Sequence, residues 1–301
     1  MTLLLGLLAA TSWGAADFLA GVLSRRSATA IVVFWSQTFG ALLAGSLALL
    51  LSTPPTTPSV YWAIGAGLVS AFTLLFFYHA LAVGQMSLVA PISACGALVP
   101  VLISLLTGHP VGFLTLPGMA AALTGVVLAS LASSITRPGS QSWPSLLRKL
   151  QALGIGYAIA TAGSMGVYLT LIATAANSAS GSPLWVVAIA RAASLVIVVP
   201  WTYRTSGGLG APGGLLKGVL ALAFMDTLGN VAYAWATTTG NYGVAAVLGS
   251  MYPIGTALLA VRFLGESLRR SEGFGVLTAT LFAHELAGLG EDGTASSMRM
   301  G

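Results

Sequence analysis

Apolar residues run through this chain in long unbroken blocks, and the polar ones gather in short clusters between them. The blocks do not alternate as half-buried strands would, and they are far longer than the ~10 residues of a barrel strand. Each approaches the ~20 residues that a helix needs to cross a bilayer. Cutting at Pro, Gly, Asn and charge predicts ten spans, near 3–24, 28–51, 60–83, 86–107, 112–133, 150–174, 183–203, 215–238, 241–263 and 272–290. One long polar connection, "SSITRPGSQSWPSLLRK" at 133–149, divides them five and five. The expected organisation is a first unit over 1–133, a basic linker loop over 134–149, a second unit over 150–290 and a disordered tail over 291–301.

The two halves resemble each other. "SLVAPISACGALVPVLISLLTGH" (87–109) and "GVAAVLGSMYPIGTALLAVRFLGE" (243–266) share a small-residue pattern, and both follow a short Gly-containing turn, "VGQM" and "TGNY". An odd number of spans per half makes the second half enter the membrane in the opposite sense. The predicted fold is therefore all-α: an integral membrane protein with ten transmembrane helices, arranged as two inverted five-helix repeats.

Composition agrees with the pattern. Of 301 residues, 56% are hydrophobic and 6% charged, against about a quarter charged in soluble domains. A chain with so few charges has lipid as its main solvent, which places it in the cell membrane as a multi-pass protein. The net charge of +5 does not mark a nucleic-acid binder, because no basic stripe is interleaved with exposed aromatics. The cations sit in alternate loops instead: Arg25 and Arg26, then Arg137, Arg148 and Lys149, then Arg204 and Lys217, then Arg262, Arg269 and Arg270. The opposite loops, "STPPTTPS", "TGHP" and "ANSASGSP", hold no Lys or Arg; only Arg299 in the tail breaks the pattern. By the positive-inside rule the basic side is cytoplasmic and both termini lie outside. The start of the chain lacks a basic n-region and a cleavage site, and reads as a retained membrane helix. Cys95, the single cysteine, forms no intrachain disulfide and reads as a packing residue.

Two segments resemble the EamA-type family of the drug/metabolite transporter superfamily. One is "LLAATSWGAADFLAGVLSRR" in the first span, with its Trp-Gly and Asp-Phe pairs. The other is "GNVAYAWATTTGNYGVAAVLGSMYPIGTALLAVRFLGESLRRSEGFG", with Ser250, Tyr252, Pro253 and Leu-Gly-Glu at 264–266. The likeness covers nearly the whole chain. It implies a ten-helix carrier for metabolites such as amino acids, sugars or drugs, often an exporter. There are departures: His109 stands where a Glu is usual, and His284 and Glu285 stand where the family continues apolar. Many relatives are described with cytoplasmic termini, against the charge pattern here.

Four ionisable residues fall well inside predicted spans: Asp17, His79, Arg191 and Asp226. A charge at mid-membrane costs roughly 2.5–3.5 kcal/mol on insertion scales, so each requires a partner, water or a ligand. Asp226, Asn230 and Tyr233 share one helix face at i, i+4 and i+7, and Thr237 extends it. Arg191 lies at the same depth on the preceding antiparallel helix. An ion pair with Asp226 is either a structural clamp or part of a substrate or proton site. Trp13 and Asp17 form an aromatic-plus-carboxylate face suited to a cationic or zwitterionic ligand; the plainer reading is a carboxylate hydrated near a helix end. Tyr157, Thr161, Ser164 and Tyr168 make a stripe that either packs with satisfied hydroxyls or walls a cavity. Gln37 and Trp35 are weaker candidates. His79, beside Tyr78, is either a proton-handling or a hydrogen-bonded structural residue. Tyr252 enters through the family motif. Pro91, Pro100 and Pro253 are expected to interrupt spans four and nine, as in carriers whose broken helices frame a central site.

No G-x-x-x-x-G-K-[ST] loop is present, "HELAG" lacks the second histidine of a zincin, and no Ser-His-Asp grouping is recognisable by spacing. No cofactor or metal is expected. The reading that results is a secondary transporter, an exporter of a small polar or amphipathic metabolite by alternating access, with protons as candidate coupling ion through Asp17 or Asp226. The alternatives are an uncoupled facilitator and, from another class, a membrane-embedded enzyme.

Overall fold

Helices begin and end close to where the apolar blocks do. The computed structural model describes residues 1–84, 86–106, 154–178, 181–239 and 242–264, and every regular element among them is helical. The first half contributes α1 (Thr2–Ser24), α2 (Thr29–Leu51), α3 (Thr57–Val83), α4 (Met86–Ala94) and α5 (Leu98–Leu106). The second contributes α6 (Ile155–Asn177), α7 (Pro183–Ser206), α8 (Leu216–Thr238), α9 (Tyr242–Gly249) and α10 (Tyr252–Leu264). Prolines 58 and 183 stand in the first turns of α3 and α7, where the missing N–H is no loss. Gly207, left-handed at φ 70°, stops α7. Predicted spans 112–133 and 272–290, the linker at 134–149 and the tail at 291–301 lie outside the described residues.

Six described helices are long and apolar enough to cross a membrane: α1, α2, α3, α6, α7 and the stretch Gly213–Thr238 that contains α8. Their outer faces expose Leu50, Leu51, Ile159, Val196 and Phe224. Many hydroxyls on the helices donate to a carbonyl one turn back in the same helix, which suits hydrocarbon surroundings. Thr38 donates to Phe34 O at 2.8 Å, Thr161 to Tyr157 O at 2.8 Å and Thr174 to Thr170 O at 2.9 Å.

Spans four and nine are both interrupted, as the sequence reading expects. The first is broken by a 3-10 turn at Cys95–Ala97, the second at Ser250–Met251. The prolines are not at the breaks. Pro91 lies within α4, while Pro100 and Pro253 occupy the first turns of α5 and α10, where an absent N–H leaves no bond unmade. Close backbone approach marks these regions instead. A Cβ on Gly14 of α1 would stand 2.9 Å from Tyr252 O and 3.1 Å from Gly255 Cα of α10. A Cβ on Gly166 of α6 would stand 2.5 Å from Gly96 O at the other break.

The packing partners follow a simple rule. The most extensive contacts are α3 with α6, α1 with α8 and α2 with α7; α3 also meets α7, and α2 meets α8. Helix α1 runs against α9 and α10, and α6 against α4 and α5. Replacing each helix by the one five places away returns the same set of pairs.

Direction along the bundle is set by contacts at its two ends. At one end Arg25 donates to Gly84 O at 3.0 Å, capping the end of α3, and Trp35 Nε1 donates to Gly210 O at 2.6 Å in the α7–α8 connection. Helix α10 runs parallel to α1, with Phe18 and Phe263 rings 5.8 Å apart. Arg25, Arg26, Arg204, Lys217 and Arg262 therefore gather at this end. At the other, the Thr2 and Thr239 hydroxyls bond at 3.1 Å and Ser59 donates to Ala175 O at 3.0 Å.

Candidate functional site

Helix α8 places Asp226 and Asn230 one turn apart on its inward face, so the amide reaches back to the carboxylate. Asn230 Nδ2 donates to Asp226 O at 2.7 Å and to Asp226 Oδ1 at 2.9 Å. From α7, Arg191 Nη2 donates to Asp226 Oδ2 at 3.0 Å, and its Nη1 donates to Gln37 Oε1 of α2 at 2.6 Å. Tyr168 of α6 donates its hydroxyl to Asn230 Oδ1. A polar chain thus runs Gln37–Arg191–Asp226–Asn230–Tyr168 through four helices. Arg191 and Asp226 are only 4% and 7% exposed. Burial at that depth raises the Coulomb attraction and also the desolvation cost, so the flanking hydrogen bonds decide whether the pair is tolerable. Gly40, on α2, leaves the guanidinium room: a Cβ there would lie 2.7 Å from Arg191 Nη1 and 2.8 Å from Thr227 Oγ1.

Across from this chain stands an aromatic wall. Trp13 packs on Tyr233 with ring centroids 5.5 Å apart and meets Tyr252 edge-on at 6.4 Å, and Tyr252 meets Phe77 edge-on at 6.2 Å. Asp17 lies one turn from Trp13, 7% exposed, with Oδ2 lacking a hydrogen-bond partner among the described residues. Thr256 is beside it, its hydroxyl donating to Tyr252 O at 3.2 Å. Between the wall and the chain is a partly open cavity bounded by α1, α2, α3, α6, α7, α8 and α10. Its charged lining is Asp17, Arg191 and Asp226.

Residues 152–283 match the model of the EamA-like transporter family. Over these residues the chain is similar to that family. With six described helices long and apolar enough to cross a membrane, the protein is a multi-pass membrane protein whose second half is similar to a transporter family. A crystal structure of a protein 18% identical in sequence superposes with a TM-score of 0.65 and covers 94% of each chain, so the two share a fold. No curated protein is similar enough to this chain to register as a match.

The EamA-like half supplies Arg191, Asp226, Asn230, Tyr168 and Tyr252 to the cavity, while Trp13, Asp17 and Gln37 come from the first half. Of the sequence candidates, Trp13, Asp17, Arg191, Asp226, Asn230 and Tyr252 are brought together on this lining. Tyr233 sits behind Trp13, fully buried, with its hydroxyl donating to Leu169 O at 3.3 Å. His79 and Tyr157 pack edge to face, centroids 4.7 Å apart, outside the cavity lining, and Tyr157 is exposed. Within the Tyr157–Tyr168 stripe only Tyr168 lines the cavity, since Thr161 and Ser164 bond back to their own helix. On α3 the sequence reading chose His79 and passed over Ser70, Thr73, Leu74 and Phe77, which line the cavity. Their i, i+3, i+4, i+7 spacing on one face was the available signal. Among the described residues, no group of three His, Cys, Asp or Glu side chains is placed to hold a metal ion.

Proposed function

We propose that the protein is a secondary transporter that exports a small polar or amphipathic metabolite by alternating access through the central cavity. The observation that carries this reading is the cavity itself: it lies inside the membrane-crossing bundle and is built from both halves of the chain. Two five-helix repeats, over 1–133 and 150–290, would stand inverted around it, ten transmembrane helices in all. The return of the main packing pairs under a shift of five helices supports that arrangement, as does the break in the fourth span of each half. Rocking one half against the other exposes the cavity to each side in turn, and the glycine crossings of α1 with α10 and of α6 with the Cys95–Ala97 turn bring broken helices against unbroken ones there.

Protons are the proposed coupling ion, taken up by Asp17 or Asp226. The groups facing Asp17 are Trp13, Tyr252, Tyr78, Thr256 and the more distant Asp226; those bonded to Asp226 are Arg191 and Asn230. Because Asp226 already has both oxygens engaged, Asp17 is the freer of the two. The experiment is reconstitution of the full chain into liposomes loaded with a metabolite pool, followed by mass spectrometry of both compartments. Selective movement of one class of metabolite, accelerated by an imposed pH gradient, is the expected result. Identical profiles with and without protein would refute the carrier reading.

A further inference from the structure

We infer that the ligand of this cavity is an organic monocation, an amine with an apolar or aromatic body, and that Asp17 is its counter-charge. This deepens the transporter reading and rests on it. The argument begins with charge. Among the described residues three charged side chains line the cavity, Asp17, Arg191 and Asp226, and Arg191 is matched by Asp226 at 3.0 Å. Asp17, when ionised, is left without a counter-charge among the described lining residues. The imbalance extends to hydrogen bonding, since both oxygens of Asp226 accept bonds while Asp17 Oδ2 accepts none from the described residues. A carboxyl buried in a membrane bundle either keeps its proton or ionises against a counter-charge, and an ammonium group supplies that charge together with hydrogen-bond donors.

The walls beside Asp17 fit the rest of such a molecule. Trp13, Tyr252, Phe77 and Tyr78 all line the cavity. Aromatic faces attract a cation and also cover an apolar body. The opposite end of the cavity argues against a carboxylate on the ligand. The two terminal nitrogens of Arg191 are committed to Gln37 and Asp226, and although its Nε is unpartnered, its charge is already balanced. An amino-acid carboxylate entering here would find no unbalanced cation among the described lining residues. The cavity therefore discriminates by charge among molecules of one shape.

A series that varies charge on a fixed body tests this. The full chain in lipid nanodiscs is titrated calorimetrically with phenethylamine (cation), 2-phenylethanol (neutral), phenylalanine (zwitterion) and 3-phenylpropanoate (anion). Phenethylamine is expected to bind tightest, and Asp17→Asn to weaken it by roughly 30-fold or more, the loss expected when one partner of a buried charge pair is removed. Asp17→Glu keeps the charge and should retain part of the affinity, which separates a charge requirement from a folding defect. Phenylalanine or the anion binding as well as the amine would overturn the proposal, as would equal binding of 2-phenylethanol, binding by none of the four, or an Asp17→Asn variant that is folded and binds the amine like the unmodified protein. These outcomes are separable from failure of the transporter reading, because the metabolite-pool experiment detects carriage of any substrate, charged or not.

Discussion

Arg191 and Asp226 meet at 3.0 Å between α7 and α8, and each holds a further neighbour: Arg191 bonds Gln37 with its other terminal nitrogen, and Asp226 accepts from Asn230 with its other oxygen. The pair is thus the centre of a chain of hydrogen bonds that ties α2, α6, α7 and α8 together. Removing either member leaves the other charge buried without its counterpart, a loss of about 3–5 kcal/mol. Arg191→Ala and Asp226→Ala should each lower the melting temperature and folded yield of the purified protein. The double variant should recover part of that loss, because no stranded charge remains. Additive destabilisation in the double variant, read from the same melts, would show that the two are not energetic partners. Failure of the double variant to recover transport along with stability would place the pair at the site as well as in the scaffold.

Gly40 tests how closely the guanidinium is held. A Cβ there would come within 2.7 Å of Arg191 Nη1 and 2.8 Å of Thr227 Oγ1. The arginine end can shift only by breaking its bonds to Gln37 and Asp226. Gly40→Val is expected to destabilise by about 1–3 kcal/mol, the usual range for overpacking. Gly45 on the same helix has open space at its Cβ position, so Gly45→Val serves as the control that should melt near the unmodified protein.

Proton coupling through Asp17 predicts a specific loss. Asp17→Asn keeps the shape of the side chain and removes its titration, so the variant should fold while its flux no longer responds to an imposed pH gradient. Uptake into proteoliposomes with and without the gradient provides the measurement. A variant that responds as the unmodified protein does would move the coupling role away from Asp17.

The gathering of Arg25, Arg26, Arg204, Lys217 and Arg262 at one end of the bundle predicts that this end faces the cytoplasm and that both termini lie outside. In a Cys95→Ala background, a cysteine at Ser178 should react with a membrane-impermeant maleimide on intact cells. A cysteine at Ser206 should react only after the membrane is opened. The reverse pattern would invert the assignment.

Much of this architecture was legible along the chain because lipid imposes it locally. Hydrocarbon requires ~20 apolar residues per crossing and saturated backbone hydrogen bonds, so span boundaries appear directly in composition; the ends of α1, α2 and α8 fall within a residue of those predicted. The i, i+4 pairing of Asp226 with Asn230, and the depth match of Arg191 with Asp226, were likewise readable from helix geometry. What a helix faces was not, because in a membrane protein lipid-facing and core-facing surfaces are both apolar. That is why Tyr157 and Tyr168, on one stripe in the sequence, part company, one exposed and one on the cavity. Gln37 and Arg191 are 154 residues apart, and only packing of α2 on α7 brings them into contact. The breaks in spans four and nine were anticipated from proline, yet they lie where backbones cross closely, at contacts made by glycines of other helices. Those contacts are between segments distant in the chain, and only the tertiary structure brings them together.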